Sequence, residues 1–153
     1  MKDRNAIDSR FRHMGNRFDL WTPPEIENNK LTKWNWMCQH ADNLSIGEKV
    51  DIGAFTYLNA KHGIIIEDHV QIGSHCAIYT VSTIDGKNGR IILERNCRIG
   101  SHTVIMPGIA VGENAIIGAF SFVNKNISKN VLAYGVPVKI VRPLTDDEMA
   151  VHE

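Results

Sequence analysis

The chain has 153 residues, with 17 lysines and arginines balanced by 17 aspartates and glutamates, and only three cysteines. This length allows one compact domain, and the balanced charge argues against a protein that binds nucleic acid through a broad basic surface. No apolar run approaches the ~20 residues of a membrane span, and the N-terminal sequence MKDRNAIDSR lacks the apolar stretch of a secretory signal, so we expect a cytoplasmic protein with free thiols.

Residues 1–45 contain no internal repeat, and we predict that they form an irregular N-terminal capping segment. All three tryptophans of the chain, Trp21, Trp34 and Trp36, lie in this segment. The end coils of repeat proteins need a cover over their open apolar surface, and large aromatic side chains can provide one.

A six-residue repeat begins at Ile46. The first position of each hexad is aliphatic, and eleven of the twelve fifth positions are small or β-branched, with His62 as the exception. The first positions are Ile46, Ile52, Leu58, Ile66, Ile72, Ile78, Leu93, Ile99, Ile105, Val111, Ile117 and Val123. Together with 19 isoleucines and 11 valines against 7 leucines, this pattern predicts short β-strands. The glycine that often stands second in the hexad is expected to relieve the backbone at a corner.

Extra residues interrupt the repeat after every third hexad: two enter before Ile66 and nine before Leu93. Three hexads therefore form one turn. The sequence predicts an all-β fold, a three-sided parallel β-helix of about four coils over residues 46–130, with an external loop at 83–90. Residues 131–153 are predicted to leave the β-helix and form a short C-terminal helix, because Thr145 and Glu148 have the spacing of a capping box.

The fourth position of the second hexad in each turn reads Phe55, His75, His102 and Phe120. Adjacent coils lie about 4.8 Å apart, so the two histidines should be vertical neighbours that face outward. They are either surface histidines at a contact between subunits or the place of a general base, since a neutral imidazole accepts a proton near neutral pH. The remaining histidines are predicted to be structural or solvated: His13, His40, His62, His69 and His152.

The hexads and the segment VNKNISKNVLAYGVPVKIVR (123–142) resemble the hexapeptide-repeat acyltransferases over residues 46–143. The resemblance implies a left-handed β-helix, acetyl-CoA as co-substrate, and a homotrimer with its active sites between adjacent copies. Residues 114–145 contain four basic residues and no Asp or Glu, which favours an anion site. The resemblance implies a coenzyme A groove with the pantetheine arm beside Gly118, Ala119 and Ser121 and the phosphates near Lys125 and Lys139.

The loop departs from one branch of that family. Galactoside and maltose acetyltransferases carry the catalytic histidine in the long loop, inside a Gly-His-Pro motif, whereas the loop at 83–90 has no histidine. The base is therefore predicted to be His102, assisted by His75, or no base is needed because an amine acceptor attacks unaided. We expect Asp85 and Asn88 of the loop to bind the acceptor, although a plain surface hairpin would have the same composition.

These observations predict an acetyl-CoA-dependent acyltransferase that acetylates an amino or hydroxyl group of a sugar. The sugar is predicted to be nucleotide-linked, for surface polysaccharide synthesis, and a tryptophan of the N-terminal segment is a candidate wall for it. A non-catalytic assembly subunit remains an alternative. So does a metal enzyme like the γ-carbonic anhydrases, although no metal is expected, because the nearest histidine pair, His69 and His75, is six residues apart on different sides.

Overall fold

The computed structural model of the protein describes residues 18–151, which form short strands, one 3₁₀ turn (Ala41–Asn43) between the first two strands, and one α-helix. In chain order, the elements are β1 (Met37–Gln39), β2 (Leu44–Ile46), β3 (Asp51–Ile52), β4 (Tyr57–Asn59), β5 (Ile64–Ile66), β6 (Gln71–Ile72), β7 (Ala77–Tyr79), β8 (Ile91–Leu93), β9 (Arg98–Ile99), β10 (Val104–Ile105), β11 (Ala110–Val111), β12 (Ile116–Ile117), β13 (Phe122–Val123), β14 (Val131–Tyr134), β15 (Lys139–Pro143) and α1 (Asp146–Met149). Helix α1 is far too short to cross a membrane, and no longer apolar helix is found among residues 18–151.

Strands pair with the equivalent strands of the coils above and below, which produces three sheets along the sides of a solenoid. Sheet I contains β1, β4, β7, β10 and β13, sheet II contains β2, β5, β8 and β11, and sheet III contains β3, β6, β9, β12, β14 and β15. Neighbouring strands are parallel throughout, except for the final antiparallel pair β14 and β15. The predicted parallel β-helix of hexapeptide repeats is therefore confirmed.

The coil count differs slightly from the prediction, because the solenoid has about five turns rather than four. The additional rung precedes Ile46: β1 pairs with β4, and Cys38 lies opposite Leu58. Trp36 occupies the fifth position of this rung and is 2% exposed, so its indole closes the lower end of the core. The search for aliphatic residues at first positions missed this rung, because its first position is Cys38 and its fifth position is Trp36. The first 17 residues of the predicted capping segment lie outside the described part of the chain.

The core follows the two repeat columns. Eleven of the twelve first positions are buried, and Ile46, at the lower end, is half-buried. Ten of the twelve fifth positions are buried, and the exceptions, His62 and Ser82, stand where the extra residues enter between sheets I and II. Cys38, Cys76 and Cys97 are buried free thiols, and burial raises the pKa of each, to about 11 for Cys38, so they pack as small apolar side chains.

The glycines at the second position serve a different purpose from the one expected. Their backbone is not left-handed; instead, the next coil passes so close that a side chain has no room. A Cβ atom on Gly73 would lie 2.5 Å from the Ser101 nitrogen, and one on Gly100 would lie 2.4 Å from the Ala119 nitrogen.

Both ends of the solenoid are covered. At the lower end, Trp21 Nε1 donates a hydrogen bond to the Val50 carbonyl oxygen at 2.9 Å. At the upper end, β14 and β15 form a hairpin that leads into α1. The predicted capping box is confirmed: Thr145 Oγ1 accepts from the Glu148 amide, and Glu148 Oε2 accepts from the Thr145 amide at 2.9 Å. Arg142 adds two hydrogen bonds to the same carboxylate, which hold the pKa of Glu148 at about 2.

The close approach of the coils predicts that Gly73→Ala is severely destabilising. The new methyl group would overlap the backbone of Ser101, which cannot move without disturbing two coils, so we expect a loss of about 3 kcal/mol or more in unfolding free energy. Gly86→Ala is the comparison, because its φ is +72° but no atom lies within 4 Å, so the substitution should cost only about 1 kcal/mol of backbone strain. Thermal unfolding followed by circular dichroism measures both. Equal losses would show that the coils do not approach so closely.

Candidate active site

The corner between sheets III and I carries a column of four stacked rings. The imidazoles of His75 and His102 have centroids 4.8 Å apart and an interplanar angle of 8°. Phe120 stacks on His102 from above, at 4.8 Å and 1°, and Phe55 contacts His75 from below, at 5.3 Å and 43°. The predicted vertical pair of histidines between two aromatic rings is therefore confirmed as geometry. Both phenylalanines are exposed, which places the ring column at the surface.

All four residues of this ring column have a left-handed backbone, with φ between 57° and 61°. Bulky side chains rarely adopt this conformation, and neighbouring structure must hold them in it. Here each amide donates a hydrogen bond to the coil below: His75 N to the Ala54 oxygen and His102 N to the Ser74 oxygen, both at 3.0 Å. Sequence reasoning missed this conformation, although the asparagines at other fourth positions were a signal, because asparagine tolerates it well.

The corner between sheets II and III has the same left-handed backbone but carries no stacked rings. Its left-handed positions are Lys49, His69, Asn96, Asn114 and Asn130. The upper three form an asparagine ladder, in which Asn96 Nδ2 donates to Asn114 Oδ1 at 2.9 Å and Asn114 Nδ2 donates to Asn130 Oδ1 at 2.7 Å. Asparagine therefore satisfies this turn in the present chain, and the two histidines and two phenylalanines are not needed to form the corner. His69 belongs to this second column, as predicted.

The loop at 83–90 forms a small hairpin. Val81 and Asn88 pair as an antiparallel bridge, and the Ser82 amide donates to the Lys87 oxygen at 2.8 Å. Asp85 forms an ion pair with Lys87 at 3.1 Å, and hydrogen bonds from Ser82 and Lys87 lower the pKa of Asp85 to about 2. Asp85 is therefore an exposed carboxylate that stays charged down to strongly acidic pH.

The loop and the ring column lie at opposite edges of sheet I. The loop leaves the corner between sheets I and II, whereas His75 and His102 stand at the corner between sheets III and I. Six residues separate His75 from Val81, which corresponds to about 20 Å of extended chain. Within one chain, the loop and the two histidines therefore lie at different corners of the solenoid.

The three residues expected beside the pantetheine arm, Gly118, Ala119 and Ser121, lie around the top of the ring column. Ala119 is exposed beside Phe120, and Gly118 is half-buried below the ring of Tyr134. Ser121 is 2% exposed, and its hydroxyl is already used: it donates to the Gly118 oxygen at 2.6 Å and accepts from the Gly135 amide at 3.1 Å. Its side chain therefore supports the surface of this turn and does not form it.

The two lysines expected near the phosphates lie on different sides of the solenoid, Lys139 in sheet III and Lys125 just after the last strand of sheet I. Lys139 begins β15 opposite Tyr134, close to the top of the ring column, and Lys125 follows β13 at the corner where the loop also leaves. Both are exposed. Exposed apolar side chains surround the upper end of the ring column, namely Phe120, Tyr134, Val136 and Ile140. Within residues 18–151, no three metal-ligating side chains lie close enough together to hold an ion; His13 and His152 lie outside that range.

Comparison with known proteins identifies the repeat. Residues 90–125 match the family model described as bacterial transferase hexapeptide (six repeats). The galactoside O-acetyltransferase of Escherichia coli (strain K12) is 36% identical over 117 residues, which are 67% of this chain and 58% of that protein. The chain thus spans about three fifths of the length of the curated relatives that it matches.

Solved structures with the same architecture are also similar. A hexapeptide-repeat acetyltransferase of Vibrio cholerae O1 biovar eltor, solved with acetyl coenzyme A, is 28% identical with a TM-score of 0.69, covering 72% of this chain and 66% of that one. A maltose O-acetyltransferase of Clostridium difficile 630 is 26% identical with a TM-score of 0.65, covering 73% of this chain and 65% of that one.

Proposed function

The chain belongs to the bacterial hexapeptide-repeat family, and from this premise we propose that it is an acetyl-CoA-dependent acetyltransferase that modifies an amino or hydroxyl group of a sugar. The observation that carries the proposal is the stacked pair His75 and His102 on an outward corner that asparagine could have formed. Similar enzymes that are named for their substrates include galactoside, maltose and serine acetyltransferases, and one similar structure contains acetyl coenzyme A.

Acetyl transfer from a thioester needs two things from the protein, a base for the acceptor proton and correct positioning of the two substrates. Acetyl-CoA supplies a thioester, whose acyl carbon accepts a nucleophile and whose sulfur leaves as a thiolate. A ring nitrogen of His102 takes the proton of the acceptor hydroxyl or amine as the new C–O or C–N bond forms and the C–S bond breaks. The same proton then passes to the departing sulfur. His75 stacks below and fixes the plane of the His102 ring, which keeps the accepting nitrogen in one place.

The upper corner suits the charge and shape of coenzyme A. Residues 114–145 contain no carboxylate, and of their four basic groups only Arg142 has an ion-pair partner among residues 18–151, namely Glu148. Lys125 and Lys139 are thus available for phosphate groups, and the exposed turn at Gly118 and Ala119 offers a surface without large side chains for the pantetheine arm. Ser121 contributes by holding this turn in shape.

We further propose a homotrimer in which each site combines two copies. The exposed apolar groups Phe55, Phe120, Tyr134, Val136 and Ile140 would be covered by a neighbour. A neighbouring copy would bring its loop, with Asp85 and Asn88, to the ring column, because the loop of the same chain leaves from the opposite edge of sheet I. A cytoplasmic, nucleotide-linked sugar destined for surface polysaccharide is the acceptor that we favour, since the loop lacks the histidine of the galactoside and maltose branch.

His102→Asn tests the catalytic base. Asparagine accepts the left-handed backbone, as Asn96 and Asn114 do, so the fold should persist while acetyl transfer falls by about 10²–10⁴-fold. His69→Asn is the matched control, because His69 has the same backbone conformation in the other column. Release of free thiol from acetyl-CoA measures both rates. Unchanged turnover in His102→Asn, with the acceptor present, would mean that the acceptor amine needs no protein base.

Charge removal tests the coenzyme A groove. Lys125→Gln and Lys139→Gln should each raise the KM for acetyl-CoA by about three- to tenfold, because each removes one cation from the phosphates, while the KM for the acceptor stays the same. Lys61→Gln, an exposed lysine on a lower coil, serves as the control and should change neither constant. Equal changes in both constants would contradict the groove assignment.

Mixed oligomers test the shared site. A ring-column variant, His102→Asn, and a loop variant, Asp85→Ala with Asn88→Ala, should each be nearly inactive alone. Random trimers refolded from equal amounts of the two should regain about a quarter of the wild-type rate, because about one site in four combines an intact column with the intact loop of a neighbour. No recovery on mixing would mean that the column and the loop of the same chain act together, whereas full activity of the loop variant alone would mean that the loop does not contribute.

A further inference from the structure

A cavity of about 290 Å³ lies at the lower end of the solenoid, below the first coils. All three tryptophans of the chain line it, together with Phe18 and Lys33. Trp36 is held by the core, and Trp21 is anchored by its hydrogen bond to Val50. Trp34 is the most exposed of the three, at 39%, and can therefore meet a ligand that enters from solvent.

The cavity joins aromatic surface to two charged side chains, Lys33 and Asp51. Lys33 Nζ lies 4.3 Å from the centre of the Trp34 ring, and among residues 18–151 no carboxylate forms an ion pair with it. Flat aromatic walls stack on planar rings, and an exposed ammonium beside them attracts phosphate. A cavity of this volume has room for a planar ring system.

The cavity is connected to the ring column by the backbone. Trp34 directly precedes Asn35, whose carbonyl oxygen accepts the hydrogen bond of the Phe55 amide at 2.7 Å, so Asn35 forms the base of the column. Three coil spacings, about 14 Å, separate the Asn35 level from His102. A monosaccharide at His102 does not reach the cavity, whereas a ribose and a diphosphate extend across such a distance.

We propose that the tryptophan cavity binds the nucleobase of a nucleoside diphosphate-linked acceptor, with Lys33 beside the diphosphate. The inference rests on the proposed function, because it requires a sugar at the ring column. It assigns the N-terminal rung a role in choosing the acceptor, separate from donor binding at the upper coils.

Tryptophan fluorescence tests this directly, because every tryptophan of the chain lies in this one cavity. With excitation at wavelengths that nucleobases do not absorb, UDP or dTDP should change the emission in a saturable way. Trp34→Ala should raise the dissociation constant about tenfold or more through loss of stacking, and Trp34→Phe should restore part of it. Leu31→Ala, an exposed apolar residue of the same segment outside the cavity, should bind like the wild type. Lys33→Gln should weaken UDP binding and leave uridine binding unchanged.

Other ligands of the cavity would give different binding results. Binding of methyl glycosides but not of UDP or dTDP would make the cavity a sugar site and overturn the proposal. Competition between coenzyme A and UDP would assign the cavity to the donor, with the same consequence. If Trp34→Ala does not fold, the three indole N–H signals of the wild-type protein in NMR titrations decide, since all three should shift with one constant. Absence of any such shift, beside a normal thermal shift with acetyl-CoA, would refute the nucleobase site alone; absence of both would refute the proposed function.

Discussion

The structure depends on parallel coils stacked in strict register at a close distance. The glycines at second positions make the close approach of adjacent coils possible, since a Cβ atom on Gly73 or Gly100 would come within about 2.5 Å of the coil above. Because each strand pairs with its equivalent in the next coil, residues with the same hexad position stand above one another over the whole length. A side chain in one coil therefore contacts the side chains at the same hexad position in the coils above and below, and these side chains form a column.

Two corners of this solenoid have the same backbone and different contents. At one, a left-handed position is filled by Asn96, Asn114 and Asn130, whose side chains satisfy one another in a ladder. At the other, the same conformation holds two imidazoles between two benzene rings. The ladder stabilises the fold by hydrogen bonds that need no partner molecule. The rings leave large apolar surface exposed, which has an energetic cost for an isolated chain and is explained if a ligand or a second copy covers it.

The periodic part of the chain could be predicted from the sequence, because periodicity determines which residues share a column. The stacking of His75 on His102 followed from two numbers, the hexad length and the coil spacing. The first rung escaped because Trp36 and Cys38 do not look like repeat residues, although they occupy repeat positions. The sequence also did not predict that the Ser121 hydroxyl is hydrogen-bonded or that the loop and the histidines lie at different corners. Both features depend on how the chain enters and leaves the coils.

The residues of greatest chemical interest are those that the solenoid does not need. A β-helix requires neither rings at the fourth position, nor nine extra residues before Leu93, nor three tryptophans at one end, nor a carboxylate-free exit segment. Each of these departures carries an entropic or solvation cost that repetition of a simple hexad would have avoided. The tryptophan cavity, the ring column and Lys139 lie along one line, whereas Lys125 and the loop lie at the other edge of sheet I in a single chain. A neighbouring copy that supplies the loop would complete this line, which is the physical reason to expect that assembly and activity are coupled.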